Sequence, residues 1–541
     1  MQITQQIRPK YPSIYIMMVL LIFFSCGQNH KINSTSAFSP SKPNIVLIMC
    51  DDMGFSDLGC YGSEIKTPNI DALAKNGTRF SQFKNTGRCC PSRAALLTGR
   101  NQHAVNMGWM TAVDEHREGY RGQISDSVPT IAELLKNHGY TTYLSGKWHL
   151  SLNDSFMGDT HNPNGSWPLK RGFDATYGGL SGGGGYRWVN ALYKNDSLIN
   201  SFPKDYYYTH AITKNAVKFI KDHDTHNPLF LYLAHYAPHR PLQAPKDRIN
   251  SCMERYKVGY DSLRKKRFES LKVAGLIPYG FKLPIHEKEF NNNRPLWESL
   301  NEAKQHAWIL EMATYAAMIE IMDDGIGEVV NAIKQKGLLD NTLFIFLSDN
   351  GATSEGGEIS QLAADLSNTP YRNYKQFTYM GGTSSPLIIS YPKLAPNTKG
   401  EISNGIAHIT DILPTCLDIS GVEYPKKFKE KPLSKVHGTS LKPLLLGKTL
   451  ETRNLYFEHQ SSCAVISNAW KLVRQSKVAP WELINLKNDP FEQNDVSAMF
   501  PEKVHQLETY WNDWAKANNV FPLENKPWNT RIDYYNAQYQ H

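Results

Sequence analysis

The sequence predicts an α/β fold in which a mostly parallel central sheet is covered by helices on both faces. Four continuous apolar runs predict strands that are buried on both sides: residues 44–49, 141–144, 229–234 and 342–347. Helical patterns lie between them, at residues 128–137, 210–222 and 313–336. This alternation indicates parallel pairing. Each run ends in polar residues, and the carboxyl ends of parallel strands meet at one edge of a sheet. We therefore expect these polar clusters to converge.

The pattern changes after about residue 400 and predicts a smaller C-terminal domain. Residues 470–473 and 481–486 are typical of strands in a small antiparallel sheet, and an amphipathic helix follows at residues 501–517. We place the larger domain at residues 43–400 and the smaller one at 401–541. Within the larger domain, the charged segment at about residues 256–308 predicts a helical insertion over the domain edge.

The N-terminus predicts export. Arg8 and Lys10 precede an apolar run, residues 14–24, that is too short to span a bilayer comfortably and ends at Ser25-Cys26. This predicts a lipoprotein-type signal peptide over residues 1–26, with Cys26 acylated, and a polar tether at residues 27–42. Plain secretion with cleavage nearby is the alternative. The expected location is the periplasm or the cell surface, with the lipid at Cys26 as the membrane attachment.

Charge and cysteine content exclude several classes. The formal net charge of +8 on 541 residues is mild, and no basic stretch is interleaved with aromatic residues, so we expect no nucleic-acid partner. The eight cysteines show neither a disulfide framework nor a C-x-x-C pair, which gives no support to zinc or redox chemistry. Cys50 ends an apolar run and is expected to be a small core residue.

The most informative stretch runs from Cys89-Cys90-Pro91-Ser92-Arg93 to Leu97-Thr98-Gly99-Arg100. It resembles the C-x-P-S-R-x-x-x-L-T-G-R signature of type I, arylsulfatase-like sulfatases, in which the first cysteine is oxidised to formylglycine. The resemblance implies an alkaline-phosphatase-like fold, conversion of Cys89 by a formylglycine-generating maturase, and a variable position at Cys90. The aldehyde hydrate would attack sulfur with one hydroxyl and expel sulfate by deprotonation of the other.

Oxygen ligands follow the first and last of the predicted strands. Asp51-Asp52 comes after one, and Asp349-Asn350 after the other. Three carboxylates and an amide suit a hard divalent cation, Ca²⁺ rather than zinc, with Mg²⁺ as an alternative. The resemblance supports this assignment, because sulfatases carry Asp-Asp and Asp-Asn-Gly after these strands. It also implies that the converted Cys89 binds the ion.

The resemblance also assigns cations and proton carriers. Arg93 would contact the formylglycine and the metal ligands. Gly146-Lys147-Trp148-His149-Leu150 is similar to the family's G-K-W-H-L element. There Lys147 would bind sulfate, and His149 would take the proton from the second hydroxyl of the hydrate.

Two further elements complete the resemblance. His239, within residues 237–245, matches A-P-H-x-P-L-Q-x-P and would give a proton to the leaving alcohol. His235 ranks second for that role. Lys375 would touch the sulfate, although Met380 stands where the family has glutamate.

Other polar features carry weaker signals. His103 and His459 are weaker candidates, and His459 would lie either over the pocket mouth or on the surface. The glycine run at residues 182–185 lacks the lysine of a phosphate cradle and predicts a loop.

These features together predict a sulfuric ester hydrolase acting on sulfate monoesters, with sulfated small molecules or oligosaccharides as substrates. A phosphonate or phosphate monoester hydrolase of the same superfamily is one alternative. A catalytically inactive relative that binds sulfated glycans is the other.

Overall fold

A computed structural model describes residues 42–152, 165–357, 359–394 and 399–539. The predicted signal peptide, Cys26 and almost all of the tether lie outside these ranges. Within them, no helix combines the length and the hydropathy that crossing a membrane requires. The seven cysteines of the described ranges are all free thiols.

Strands and helices alternate through most of the described chain. The strands are β1 (Asn44–Cys50), β2 (Thr78–Phe80), β3 (Phe83–Lys84), β4 (Thr141–Gly146), β5 (Ala175–Gly179), β6 (Leu192–Lys194), β7 (Ser197–Ile199), β8 (Leu229–Ala234), β9 (Thr342–Ser348), β10 (Leu387–Ser390), β11 (Glu401–Ser403), β12 (Ala407–His408), β13 (Lys427–Phe428), β14 (Lys431–Pro432), β15 (Leu455–His459), β16 (Ser462–Ser467), β17 (Trp470–Arg474) and β18 (Glu482–Asn485). The helices are α1 (Pro68–Lys75), α2 (Cys89–Thr98), α3 (Ile131–Lys136), α4 (Tyr208–Asp222), α5 (Lys246–Tyr256), α6 (Tyr260–Val273), α7 (Glu302–Gln335), α8 (Gln361–Ser367), α9 (Met380–Thr383), α10 (Ile412–Ser420), α11 (Lys442–Leu445), α12 (Pro501–Ala517) and α13 (Trp528–Tyr539).

The four predicted strands are neighbours in a ten-stranded sheet with the order β11-β2-β10-β9-β1-β8-β4-β5-β6-β7. β1 pairs in parallel with both β8 and β9, and β4 pairs in parallel with β8 and β5. The register places Cys50 opposite Ser348, so β1 and β9 end at the same level. The predicted α/β fold with a mostly parallel sheet is therefore confirmed, and so is the convergence of the polar strand ends.

Alternate side chains of β1 enter two separate cores, which explains why the strand is apolar throughout. Val46 and Ile48 pack in one core, with residues of α1, α4 and α7. Ile45 and Leu47 pack in the other, with residues of α2, α3 and α10. Because both faces of the sheet are covered, a continuous apolar run is the expected pattern for a central strand.

The smaller antiparallel sheet and its helix are also confirmed. β15, β16, β17 and β18 form an antiparallel sheet in that order. Trp511 and Trp514 of α12 pack against one face of this sheet. Side chains of the other face, Ala464 and Ile466 among them, join the first core of the large sheet. The boundary between residues 400 and 401 stays a prediction.

Two helical predictions differ from the structure. α7 begins at Glu302 rather than near residue 313, because the Asn301 side chain caps it by accepting a hydrogen bond from the Lys304 amide at 2.9 Å. The insertion predicted to be helical over residues 256–308 is helical mainly in α6. Pro278, Pro284 and Pro295 follow α6, and proline lacks the amide hydrogen that helix continuation needs.

Candidate active site

The four predicted metal ligands lie together because β1 and β9 are adjacent and end at the same level. Asp51, Asp52, Asp349 and Asn350 are all fully buried. The Asp52 amide donates to Asp349 Oδ1 at 3.3 Å, and Asn350 Nδ2 donates to Asp52 Oδ1 at 2.7 Å. Two loops separated by about three hundred residues thus form one polar cluster.

This cluster fits a divalent cation. Asp51 Oδ1 and Asn350 Oδ1 are buried and have no hydrogen-bond partner within the described chain. A buried oxygen without a partner is destabilising, and a hard cation is one group that satisfies it. Since carboxylate and amide oxygens make up the predicted ligand set, the donor chemistry favours Ca²⁺ or Mg²⁺ over a soft metal.

Three cations neutralise the carboxylates. Lys147 Nζ lies 2.5 Å from Asp51 Oδ2, and Lys375 Nζ lies 2.7 Å and 2.9 Å from the two oxygens of Asp52. Arg93 donates to Asp349 Oδ2 from Nε at 3.1 Å and from Nη2 at 2.8 Å. The side chain of Arg93 therefore contacts a predicted metal ligand, as the signature implies.

Burial and these cations set the charge states of the carboxylates. Burial opposes ionisation of Asp51, but the positive charges of Lys147 and Arg93 outweigh it and hold the pKa below its usual range. For Asp52, burial prevails over Lys375 and raises the pKa to about 6. Two adjacent aspartates thus differ in proton affinity, because Asp51 lies near more positive charge and its own negative charge adds to the effect of burial on Asp52.

The two adjacent cysteines are also distinguished by their surroundings. Cys89 is the first residue of α2 and is buried, as is Cys90. A hydrogen bond from Cys90 and the charge of Lys147 lower the pKa of the Cys89 thiol well below its usual value, against the effect of burial. Burial instead raises the pKa of Cys90. Lys147 acts on both thiols, but only at Cys89 do the groups that favour a negatively charged side chain outweigh burial.

Both predicted proton carriers lie at this site as neutral imidazoles. His149 Nε2 lies 3.4 Å from Cys90 Sγ, and burial together with Lys147 lowers the pKa of His149 to about 4. His239 Nε2 lies 3.7 Å from Asp52 Oδ2, and burial lowers the pKa of His239 to about 3. His235, the second choice, is buried, and no charged group contributes to the lowering of its pKa.

Sequence reasoning missed a carboxylate beside the sulfate-binding candidates. Glu355 forms an ion pair with Arg88, accepts a hydrogen bond from Gln376 and lies 3.5 Å from Lys375 Nζ. Burial raises the pKa of Glu355, but Arg88 and Lys375 outweigh it and bring the pKa to about 2. No motif contains Glu355, and Arg88 lies 267 positions away in sequence, so no local signal could have identified the pair.

The two remaining histidine candidates are buried. His103 lies shortly after α2, and its Nε2 atom is 2.8 Å from Oε2 of Glu458 in β15. This pair therefore links the segment after α2 to the smaller antiparallel sheet. His459 is 1% exposed, so the surface alternative is wrong. Its ring nitrogens have no partner among the described residues, and its charged neighbours include Arg88 and Glu355.

Comparisons with known proteins agree with this geometry. A family model described as Sulfatase matches residues 43–422, and one described as N-sulphoglucosamine sulphohydrolase, C-terminal, matches residues 372–512. An arylsulfatase of Klebsiella aerogenes is 32% identical over 445 residues, which cover 75% of this chain and 92% of the relative. An uncharacterized sulfatase of Schizosaccharomyces pombe is 30% identical over 531 residues, which cover 87% of this chain and 93% of the relative.

A solved structure extends the likeness to the whole fold. The structure of Ps i-CgsB in complex with k-i-k-neocarrahexaose superposes with a TM-score of 0.67 at 26% identity, covering 92% of this chain and 98% of the other. The family match spans most of the chain, and the cysteine signature, the carboxylates and the lysines meet at one end of the sheet. This protein is therefore an enzyme of the sulfatase family.

Proposed function

We propose that the protein hydrolyses sulfate monoesters of carbohydrates with a formylglycine made from Cys89 by a maturase. The observation that carries this proposal is the position of Cys89 at the start of α2, among Lys147, His149 and Lys375. A sulfate ester is an anion, so the site that binds it needs fixed cations. When formed, the aldehyde hydrate supplies one hydroxyl as the nucleophile and a second whose deprotonation releases sulfate.

A calcium ion is the proposed metal, with magnesium as the alternative. The residues that would hold it are Asp51, Asp52, Asp349, Asn350 and the converted Cys89. When bound, the ion supplies positive charge that stabilises the charge developing on the reacting oxygens. The unpartnered oxygens of Asp51 and Asn350 support this proposal, because they are free to bind an ion.

The histidines divide the proton transfers between them. His149 is held neutral by burial and Lys147, which leaves an imidazole nitrogen able to accept a proton from the residue at position 89. His239 is neutral without substrate, and an anionic ester bound nearby raises its proton affinity. His239 then donates a proton to the alcohol oxygen as the ester bond breaks.

Carbohydrate substrates are proposed on two grounds. The structural neighbour Ps i-CgsB was solved with an oligosaccharide bound, and a family model described by an amino-sugar sulphohydrolase matches residues 372–512. Export to the periplasm or cell surface, with a lipid at Cys26, is proposed from the N-terminal sequence alone. Globomycin should block processing, and Cys26→Ala should release soluble protein. Normal processing in both cases would contradict lipidation.

The deciding experiment uses protein purified from its native host. We expect peptide mass spectrometry to find formylglycine at position 89, and sulfate to be released from a panel of sulfated mono- and oligosaccharides. A preference for 4-nitrophenyl phosphate over 4-nitrophenyl sulfate would instead support the phosphohydrolase alternative. An unmodified thiol, with ligand unchanged after long incubation, would support an inactive binding protein.

A further inference from the structure

The glycine loop, defined as residues 181–186, follows β5 and lies against the active site. Two backbone hydrogen bonds hold the residues that lead into this loop. The Trp148 amide donates to Gly179 O at 2.9 Å, and the His149 amide donates to Leu180 O at 3.1 Å. The segment that carries Lys147 and His149 is thus hydrogen-bonded to the residues that immediately precede the loop.

Gly182 lies in direct contact with the His149 ring. A Cβ atom added at Gly182 would lie 2.0 Å from both Cε1 and Nε2 of His149, and 2.7 Å from Cδ2. Real Cβ atoms essentially never lie closer than 3.0 Å to such an atom. A side chain at Gly182 therefore requires the imidazole or the loop to move. Gly183 differs, because a Cβ added there would meet nothing within 4 Å.

Among the described residues, the hydrogen bonds of the His149 ring are limited to the thiols of Cys89 and Cys90. Its Nδ1 atom is buried and has no hydrogen-bond partner within the described residues, and its Nε2 atom lies 3.4 Å from Cys90 Sγ. The backbone of His149 has a φ of 57°. A histidine that works in catalysis is usually oriented by a hydrogen bond on its second nitrogen. No such bond on Nδ1 is present among the described residues, which leaves packing contacts such as the one with Gly182 to orient the ring.

The other end of the loop is tied to the second histidine. The Tyr186 hydroxyl lies 2.8 Å from His239 O and donates to it, and the Tyr186 amide donates to Gln243 Oε1 at 3.0 Å. The ring of Tyr236 lies 4.9 Å from the His239 ring, and its hydroxyl donates to Gly184 O at 3.2 Å. The loop therefore contacts the surroundings of both imidazoles.

We propose that the glycine loop is a positioning element, in which Gly182 sets the orientation of the His149 ring and Tyr186 fixes the backbone that carries His239. The catalytic roles of the two histidines rest on the proposed function. The contacts themselves do not, so structure and activity can be tested separately.

The first test compares Gly182→Ala with Gly183→Ala. Both glycines lie in one loop and neither has a positive φ, so the pair differs mainly in contact with His149. Crystal structures of the unconverted proteins should show the His149 ring displaced by about 1 Å in Gly182→Ala and unmoved in Gly183→Ala. In converted enzyme, a displacement of that size should lower kcat on 4-nitrophenyl sulfate by about 100-fold, with KM changed less than about threefold.

Tyr186→Phe provides a second test that keeps the ring and removes only the hydroxyl. The loss in kcat should be about tenfold for an alkyl sulfate and smaller for 4-nitrophenyl sulfate, because a poor leaving group depends more on proton donation from His239. A merely structural defect would lower both rates equally. This variant also decides the proposal if Gly182→Ala does not fold.

Three results would overturn the proposal: a His149 ring that keeps its place in Gly182→Ala, equal losses of activity in the two alanine variants, or equal losses on both substrates in Tyr186→Phe. If the wild-type protein releases no sulfate from any ester, the proposed function fails. The crystal structures would still show whether the loop orients the rings.

Discussion

The segment that follows β1 contributes carboxylates to two buried charge networks. The two networks differ in how their polar atoms are paired. The site network contains Asp51, Asp52, Asp349, Arg93, Lys147 and Lys375. The anchor network contains Asp57, Glu64 and Arg267. Both are nearly excluded from solvent.

The difference lies in how completely the polar atoms are paired. In the anchor network, Arg267 Nη1 lies 2.7 Å from Asp57 Oδ1, and Asp57 Oδ2 accepts from the Tyr315 hydroxyl at 2.8 Å and from the Gly54 amide at 2.9 Å. In the site network, Asp51 Oδ1 has no partner within the described chain. Complete pairing indicates a structural role, whereas an unpartnered oxygen beside fixed cations indicates a ligand site.

The largest expected effect is that of Cys89→Ala. Because the proposed nucleophile is made from this side chain, kcat should fall by roughly 1,000-fold or more, while the melting temperature stays within about 2 °C of the wild-type value. Cys90→Ala is the matched control and should lose less than about tenfold, since Cys90 occupies the variable position. If Cys90→Ala were completely inactive and Cys89→Ala remained active, the nucleophile would come from Cys90 and the assignment to Cys89 would be wrong.

Asp51→Asn and Asp57→Asn apply the same substitution to the two networks. Asp51→Asn should weaken Ca²⁺ binding, measured by calorimetry on dialysed protein, by about 100-fold or more, because a charged ligand is removed. Saturating Ca²⁺ should stabilise the wild type and Asp57→Asn by about 3 kcal/mol, but not Asp51→Asn. Equal stabilisation of all three proteins would place the ion elsewhere.

Arg267→Met should reverse this pattern by reducing stability and sparing catalysis. Removing the cation leaves Asp57 and Glu64 as buried, unpaired carboxylates, which lowers the free energy of unfolding by about 3–5 kcal/mol. Urea unfolding measures the loss, and kcat of the folded protein should be unchanged. Arg248→Met, which breaks an ion pair with Asp324 whose two side chains are 32% and 54% exposed, should lose only about 1 kcal/mol. A comparable loss in both variants would mean that burial of the anchor network is not decisive.

Glu311 gives the smallest expected effect and tests how burial acts on a carboxylate without a cation partner. It is partly buried, and no cation contributes to the shift of its pKa. Burial raises the pKa of Glu311 to about 7, although its carboxylate accepts a hydrogen bond from the Ser360 amide at 2.6 Å. The folded state thus keeps a proton that the unfolded chain loses near its ordinary pKa of 4.5. The free energy of unfolding therefore falls as the pH rises from about 4.5 to about 7.

Glu311→Gln removes that ionisation and keeps an acceptor for the Ser360 amide. The variant should be more stable than the wild type by about 1–2 kcal/mol at about pH 8, and equally stable near pH 4.5. Thermal unfolding at the two pH values measures the difference. An advantage that did not depend on pH would show that Glu311 is not protonated in the folded protein.

Much of the fold and the composition of the site followed from sequence patterns, for a physical reason in each case. Residues 229–234 were predicted as a strand and form β8, because a strand covered on both faces must be apolar throughout. The helix predicted at residues 501–517 forms α12, which starts with Pro501 at a position that suits proline. The catalytic roles, the domain boundary and the lipid at Cys26 stay predictions.

Other features were invisible because they depend on residues far apart in the chain. Nothing local to Arg88 signals its partner, since Glu355 lies 267 positions away in sequence and contacts Arg88 only in the folded chain. The pattern around Gly182 likewise predicted a loop and no more, and its contact with His149 arises where the loop folds back beside β4.

Motifs and apolar periodicity are local properties of the chain, so they were enough to identify the side chains available for chemistry and to predict that strand ends bring them together. Three features became visible only in the folded chain: which carboxylate pairs with which cation, which oxygens remain unpartnered, and which glycine lies against a histidine. Those outcomes depend on distances of a few ångströms between segments that are hundreds of residues apart, and only packing fixes such distances.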